Sequence, residues 1–251
     1  MSIPEHHSSS DLQDGELATP SYRCVTQMPS GGDAVYVGFP NTATRWSNDL
    51  TFIIDRASFL LYIRSEYIEA CVLDAIKSWN GAGVHIRQAQ PDECATFVIA
   101  YRYEHNTEND LENGITLARS FFPFSPPQGR VLFVYEPCFW QMYYPFMSNV
   151  LSHEIGHILG LRHEFLEDPR SMLIGCPNPH SVMNYYQDLS MMTVTAEDVN
   201  GVRDFYSRED KVENWQIVTV SPQGVYYISH QLCSYDVGYS LYPWLHISSL
   251  E

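Results

Sequence analysis

The stretch HEIGHILGLRHE, His153 to Glu164, sets three histidines and two glutamates among apolar residues and glycines. On a helix, His153 and His157 lie on one face, about 6 Å apart along the axis, so both imidazoles can reach one ion. Glu154 follows the first histidine, which gives the H-E-x-x-H pattern of two metal ligands and a base. Gly160 can take the left-handed conformation that ends a helix. The chain can then turn back and bring His163 to the ion from another direction. Three nitrogen ligands leave one of zinc's four positions open, as a catalytic site requires. The plainer alternative is an amphipathic core helix with solvated histidines. It gives no reason for Gly160 and His163 at this spacing.

The chemistry of such a site is amide hydrolysis. Zinc lowers the pKa of its bound water to about 7 and polarises a carbonyl. Glu154 is placed to take a proton from the water and to pass it to the leaving amine. No covalent intermediate is needed.

These residues need elements to position them. The spacing predicts a helix from near Ser148 that carries the histidines. A second runs from Ser65 to about Trp79, with Ile68, Cys71, Val72, Ala75, Ile76 and Trp79 on its apolar face and Asn80-Gly81 at its end. Cys71 on that stripe reads as a small core residue. A third helix starts at Thr195, with Asp198 completing a variant capping box. Leu50–Asp55, Ala95–Arg102 and Arg130–Glu136 read as strands. Ile115–Pro123 reads as a shorter edge strand, limited by its prolines. Residues 215–229 read as a hairpin around Pro-Gln-Gly.

The chain has 251 residues and a formal charge of −16. Such a surface repels phosphate backbones and anionic membranes, so neither nucleic acid nor membrane is the expected partner. Protein or peptide substrate is, and the oligomeric state is open. The six cysteines match no zinc-finger spacing. Residues 1–33 read as a flexible polar lead-in and a candidate pro-segment, 34–206 as the catalytic domain, and 207–251 as a C-terminal hairpin appendage.

With Gly160 and His163 in place, the motif resembles the metzincin metalloproteases. SVMNYY, Ser181 to Tyr186, resembles their methionine turn. The resemblance implies that Met183 forms a hydrophobic floor under the histidines without ligating the metal. Two branches of the family compete. Glu164 and Tyr185 look like astacins, in which that tyrosine is a fifth zinc ligand that swings to stabilise the transition state. RWSNDLTFIID (45–55), LARSFFP (117–123) and TAEDVNGVRDFYS (195–207) look like matrixins: the start of the domain, the edge strand above the cleft, and the closing helix. The implied fold is α+β, a twisted mixed sheet with an active-site helix, a methionine turn and a C-terminal helix. A second, structural zinc is not expected, because His105, Asp110 and Glu112 read as solvated loop residues. The region from Tyr186 to Met192 is expected to shape a substrate pocket.

Arg23-Cys24 resembles the Arg-Cys pair of matrixin pro-segments, whose thiolate fills the open zinc position. The residues that follow, VTQMP, depart from the family pattern. Cys24 is therefore a candidate latch whose rival is an ordinary thiol or a disulfide partner. The expected function is a zinc-dependent endopeptidase with one zinc ion. Its ligands are His153, His157 and His163, Glu154 is general base and acid, and Tyr185 is an oxyanion stabiliser or a fifth ligand. The alternative is a zinc-loaded pseudoprotease that captures peptides. The resemblance implies secretion. MSIPEHHSSS has no basic start or apolar core of a signal peptide, so a cytoplasmic location is the other expectation.

Overall fold

A computed structural model describes residues 22–26, 42–103, 114–164, 172–212 and 215–224. His105, Asp110, Glu112, most of the lead-in and the second arm of the expected hairpin lie outside them.

The expected strands form and pair. β2 (Leu50–Asp55), β3 (Ile86–Gln88), β4 (Phe97–Arg102), β5 (Ala118–Arg119) and β6 (Val131–Tyr135) make a sheet in the order β3-β2-β4-β6-β5. β2, β3, β4 and β6 run parallel, and β5 pairs antiparallel at the edge. The near-continuous apolar runs of β2 and β4 suit strands covered on both faces. β5 keeps only two residues of the nine expected, and Ile115 instead bridges to Tyr22 of the lead-in, in parallel.

α1 (Tyr62–Ser78) buries Ser65, Ile68, Cys71, Val72 and Ala75. It begins a turn earlier than expected. Ser65 is not a cap: its hydroxyl donates to the Tyr62 carbonyl and accepts from Arg56 inside the fold. α2 (Met147–Ile158) is the histidine helix and packs on α1, where the Trp79 indole N–H donates to Ser152 O at 3.0 Å. α3 (Ala196–Ser207) starts at Thr195 with both capping-box bonds to Asp198 present.

A second, three-stranded sheet has the order β1-β8-β7. β1 (Thr42–Trp46) pairs in parallel with β8 (Trp215–Val220) over five residue pairs, and β7 (Lys211–Val212) pairs antiparallel with β8. β8 thus takes its antiparallel partner from the charged link before it. Arg45 of β1, nine-tenths buried, donates through Nη1 to the carbonyls of Phe205, Tyr206 and Arg208. These are carbonyls that the end of α3 leaves unpaired. The Trp46 indole donates to Ile158 O at 2.7 Å and the Tyr206 hydroxyl to Leu159 O at 3.1 Å. β1 and α3 therefore hold the end of the histidine helix, where the chain must reverse.

Candidate metal centre

The reversal happens at Gly160. Its φ is +100°, a region that disfavours side chains, and a Cβ there would lie 2.8 Å from the Thr44 carbonyl of β1. Gly160 N–H donates to His157 O and Leu161 N–H to Gly156 O, both at 2.9 Å, which closes the helix. His163 returns to the face that carries the other two histidines. The ring centroids are 4.9 Å apart for His153 and His157, 5.2 Å for His153 and His163, and 4.9 Å for His157 and His163.

Carbonyl oxygens fix two of the rings. Val182 O lies 2.7 Å from His153 Nδ1 and Leu161 O lies 2.8 Å from His157 Nδ1. A carbonyl only accepts, so each Nδ1 carries the proton and each Nε2 is left with its lone pair. Val182 belongs to the methionine turn, which the buried Asp198 carboxylate holds by accepting from Ser181 Oγ at 2.6 Å and Val182 N at 3.0 Å. The capping carboxylate of α3 thus also supports the ring of His153.

Met183 is buried against α2 at Gly156, between the two helical histidines. A Cβ on Gly156 would fall 2.3 Å from the methionine sulfur. Gly156 is needed for that contact, and the sequence reading did not single it out. Glu164 lies off the cluster, where Oε1 accepts from Asn178 N at 2.7 Å. In the expected pocket region, the turn Leu189–Met191 is tied to α2 by Asn149, which donates to Leu189 O.

The three rings are poor bases. Burial lowers the pKa of His153. Burial and the neighbouring histidines push His157 well below the usual value, and burial with His153 beside it brings His163 down to about 3. Neutral imidazole is the form that ligates metals. His153 Nε2 is buried and has no hydrogen-bond partner among the described residues, a costly arrangement unless an ion takes the lone pair. Cys24 Sγ completes the group, and the four candidate ligand atoms lie within 4.8 Å of one another. Sγ is 3.4 Å from His157 Nε2. A tetrahedral zinc with ordinary bond lengths separates sulfur and nitrogen by roughly 3.5 Å. The residues present fit such an ion.

The lead-in enters this site beyond Cys24. Tyr22 is 4% exposed and Glu154 fully buried. The Tyr22 hydroxyl donates to Glu154 Oε1 at 2.9 Å, and Thr26 Oγ1 donates to Oε2 at 2.7 Å. Cys24 Sγ lies 3.4 Å from Oε1. Burial, and Glu154 beside it, push the Cys24 thiol up; a bound cation would reverse that. The Tyr185 ring lies 4.9 Å from that of His163, and its hydroxyl donates to the Cys24 carbonyl at 3.0 Å. Every residue expected at the site except Glu164 is gathered here. Tyr22, Thr26 and Asp198 join them unforeseen.

The family model for matrixins matches residues 45–207, well over half of the chain. Human stromelysin-3 (Homo sapiens) is 28% identical over 153 residues, which is 56% of this chain and 30% of that protein. The chain thus spans less than a third of that relative. The solved structure of myroilysin aligns with 66% of this chain and 96% of its own, at 12% identity and a TM-score of 0.43. On the family match, with the metzincin elements in their order, the chain belongs to the matrixins.

Proposed function

We propose that the protein is a zinc-dependent metalloendopeptidase that hydrolyses peptide bonds of proteins, and that Cys24 of its own lead-in holds it latent. The observation that carries this reading is the cluster of three buried, weakly basic histidines, with Cys24 Sγ within 3.4 Å of both His157 Nε2 and the buried Glu154 carboxylate. Membership in a protease family supports a protein substrate.

His153, His157 and His163 would hold one zinc ion. When bound, zinc supplies a Lewis acid for the substrate carbonyl and makes water acidic near neutral pH. Glu154, once free of the lead-in, takes a proton from the attacking water and returns it to the leaving nitrogen. Tyr185 donates its phenol to the oxyanion. Burial and the Cys24 and Glu154 groups raise its pKa, so it stays a donor. It already donates to a main-chain carbonyl in the cleft, that of Cys24. A Cys24 thiolate is a good fourth zinc ligand, which is the basis of latency.

The test uses a chain that starts at Ala34, beside the full chain. The short form should bind one zinc per molecule and cleave a mixed peptide library. Glu154→Ala should keep the zinc and lose on the order of 100-fold or more in turnover. Removing zinc with a chelator should abolish turnover and lower the melting temperature, and added zinc should restore both. A short form that is zinc-loaded and binds peptides without cleaving them would leave the peptide-capturing pseudoprotease instead.

A further inference from the structure

We propose that residues 22–26 close the cleft with a second lock on Glu154, made by the hydroxyls of Tyr22 and Thr26 in addition to the Cys24 thiol. This rests on reading Glu154 as the proton-transfer group of a peptidase.

Tyr22, Cys24 and Thr26 are spaced by two. In an extended segment such residues face one way. The Tyr22–Ile115 bridge and the bond from Arg23 N to Ile115 O at 2.9 Å hold the segment extended. All three side chains then reach Glu154. Tyr22 takes one carboxylate oxygen and Thr26 the other, so both oxygens that could accept a proton from water are engaged. Thr26 is itself fixed, because its Oγ1 accepts from Ser120 N at 2.9 Å. The Ser120 hydroxyl donates to the backbone carbonyl of Glu154, also at 2.9 Å. The edge region beside β5 thus aims the Thr26 hydroxyl.

Packing alone does not explain these residues. Phenylalanine and valine would fill the same volumes without donating to either oxygen. The Tyr22 phenol has a proton to give and places it on Glu154 Oε1. Bonds of this kind, to a charged group away from water, are among the stronger ones. Losing the thiol alone would therefore leave Glu154 occupied and the segment docked.

Alkylation of Cys24 tests the lock without reference to activity. It is measured on the metal-free full-length protein with iodoacetamide, and peptide mass spectrometry separates Cys24 from the other thiols. The pair Tyr22→Phe/Thr26→Val should label about tenfold faster or more than the wild type. Glu154→Ala should label faster by a similar factor. Adding the pair to Glu154→Ala should change the rate by less than about threefold, because the hydroxyls then have lost their common target. With zinc present, Cys24→Ser combined with the pair should cleave a peptide library at least about tenfold faster than Cys24→Ser alone. Unchanged labelling in the pair would overturn the lock. So would an equal acceleration with and without Glu154, which would reduce the effect to packing. Where Cys24→Ser cleaves the library measurably, an equal turnover of the triple variant overturns it as well. If the pair couples to Glu154 in labelling while no variant cleaves peptides, the lock stands and the peptidase reading falls.

Discussion

Two segments outside the matrixin-matched region touch it in opposite ways. Residues 22–26 sit in the cleft, and their main chain makes a single bridge and a bond to Ile115. Beyond that, the side chains of Tyr22, Cys24 and Thr26 reach Glu154 and His157, the Cys24 carbonyl accepts from Tyr185, and Thr26 Oγ1 accepts from Ser120 N; all but the last are groups that the proposed chemistry needs. Residues 215–224 are held mainly by main chain. β8 runs a five-pair ladder with β1, and the following residues lie across the start of the large sheet. There the Pro222 carbonyl accepts from Thr96 and the Gln223 carbonyl from Arg130. A ladder is lost only when many bonds break together. A few side-chain bonds can be exchanged for those of a substrate. The first segment is attached in a way that allows release, and the second as part of the fold.

That contrast predicts a gradient of effects on stability. The largest is at Arg45, the residue that joins β1, the end of α3 and β8. Replacing it with methionine strips three carbonyls of their donor and breaks the pair with Asp210, whose carboxylate is itself largely exposed. The expected cost is about 3 kcal/mol in urea unfolding. Ile217→Ala follows. Ile217 is 1% exposed at the centre of β8, and its truncation should cost about 2–4 kcal/mol. Gly224→Ala comes next. Its Cβ would fall 2.2 Å from the Cys94 carbonyl, so the strap must shift, at about 1–3 kcal/mol. None of the three should change the rate at which Cys24 is alkylated. If all three prove neutral, residues 215–224 belong to a C-terminal appendage, as the sequence reading of 207–251 has it.

The sequence made the chemistry legible sooner than its setting. The histidine spacing around Gly160 is dictated by helix geometry and a left-handed residue, both local properties, so it could be read directly. The same holds for β2, β4, β6 and the Thr195–Asp198 cap. β1 was missed because TATRW carries no apolar alternation; its reason for being a strand is β8, more than 160 residues away. Ser65 looked like a helix start because serine favours that place, but the Arg56 contact gave it a buried one. Asp198 was legible as a cap, but its hold on Ser181 and Val182 depends on where the methionine turn lands. Tyr22 and Thr26 left one usable signal, their spacing of two on either side of Cys24. It acquires meaning only once Glu154 is known to lie opposite.

The smallest expected effect is also the most discriminating. Tyr22→Phe removes one donor from a buried carboxylate, which in a rigid core would cost about 1.5–3 kcal/mol. On the proposed latency, the segment that carries Tyr22 leaves the cleft before the domain unfolds, and the vacated carboxylate then meets water. Global unfolding reports only interactions that persist until the cooperative transition. The loss in urea unfolding should therefore stay below about 1 kcal/mol, well short of the Ile217→Ala value. A Tyr22→Phe cost as large as that of Ile217→Ala would mean that residues 22–26 unfold only with the domain. The two segments would then be attached alike, and the lead-in would not be a releasable strap.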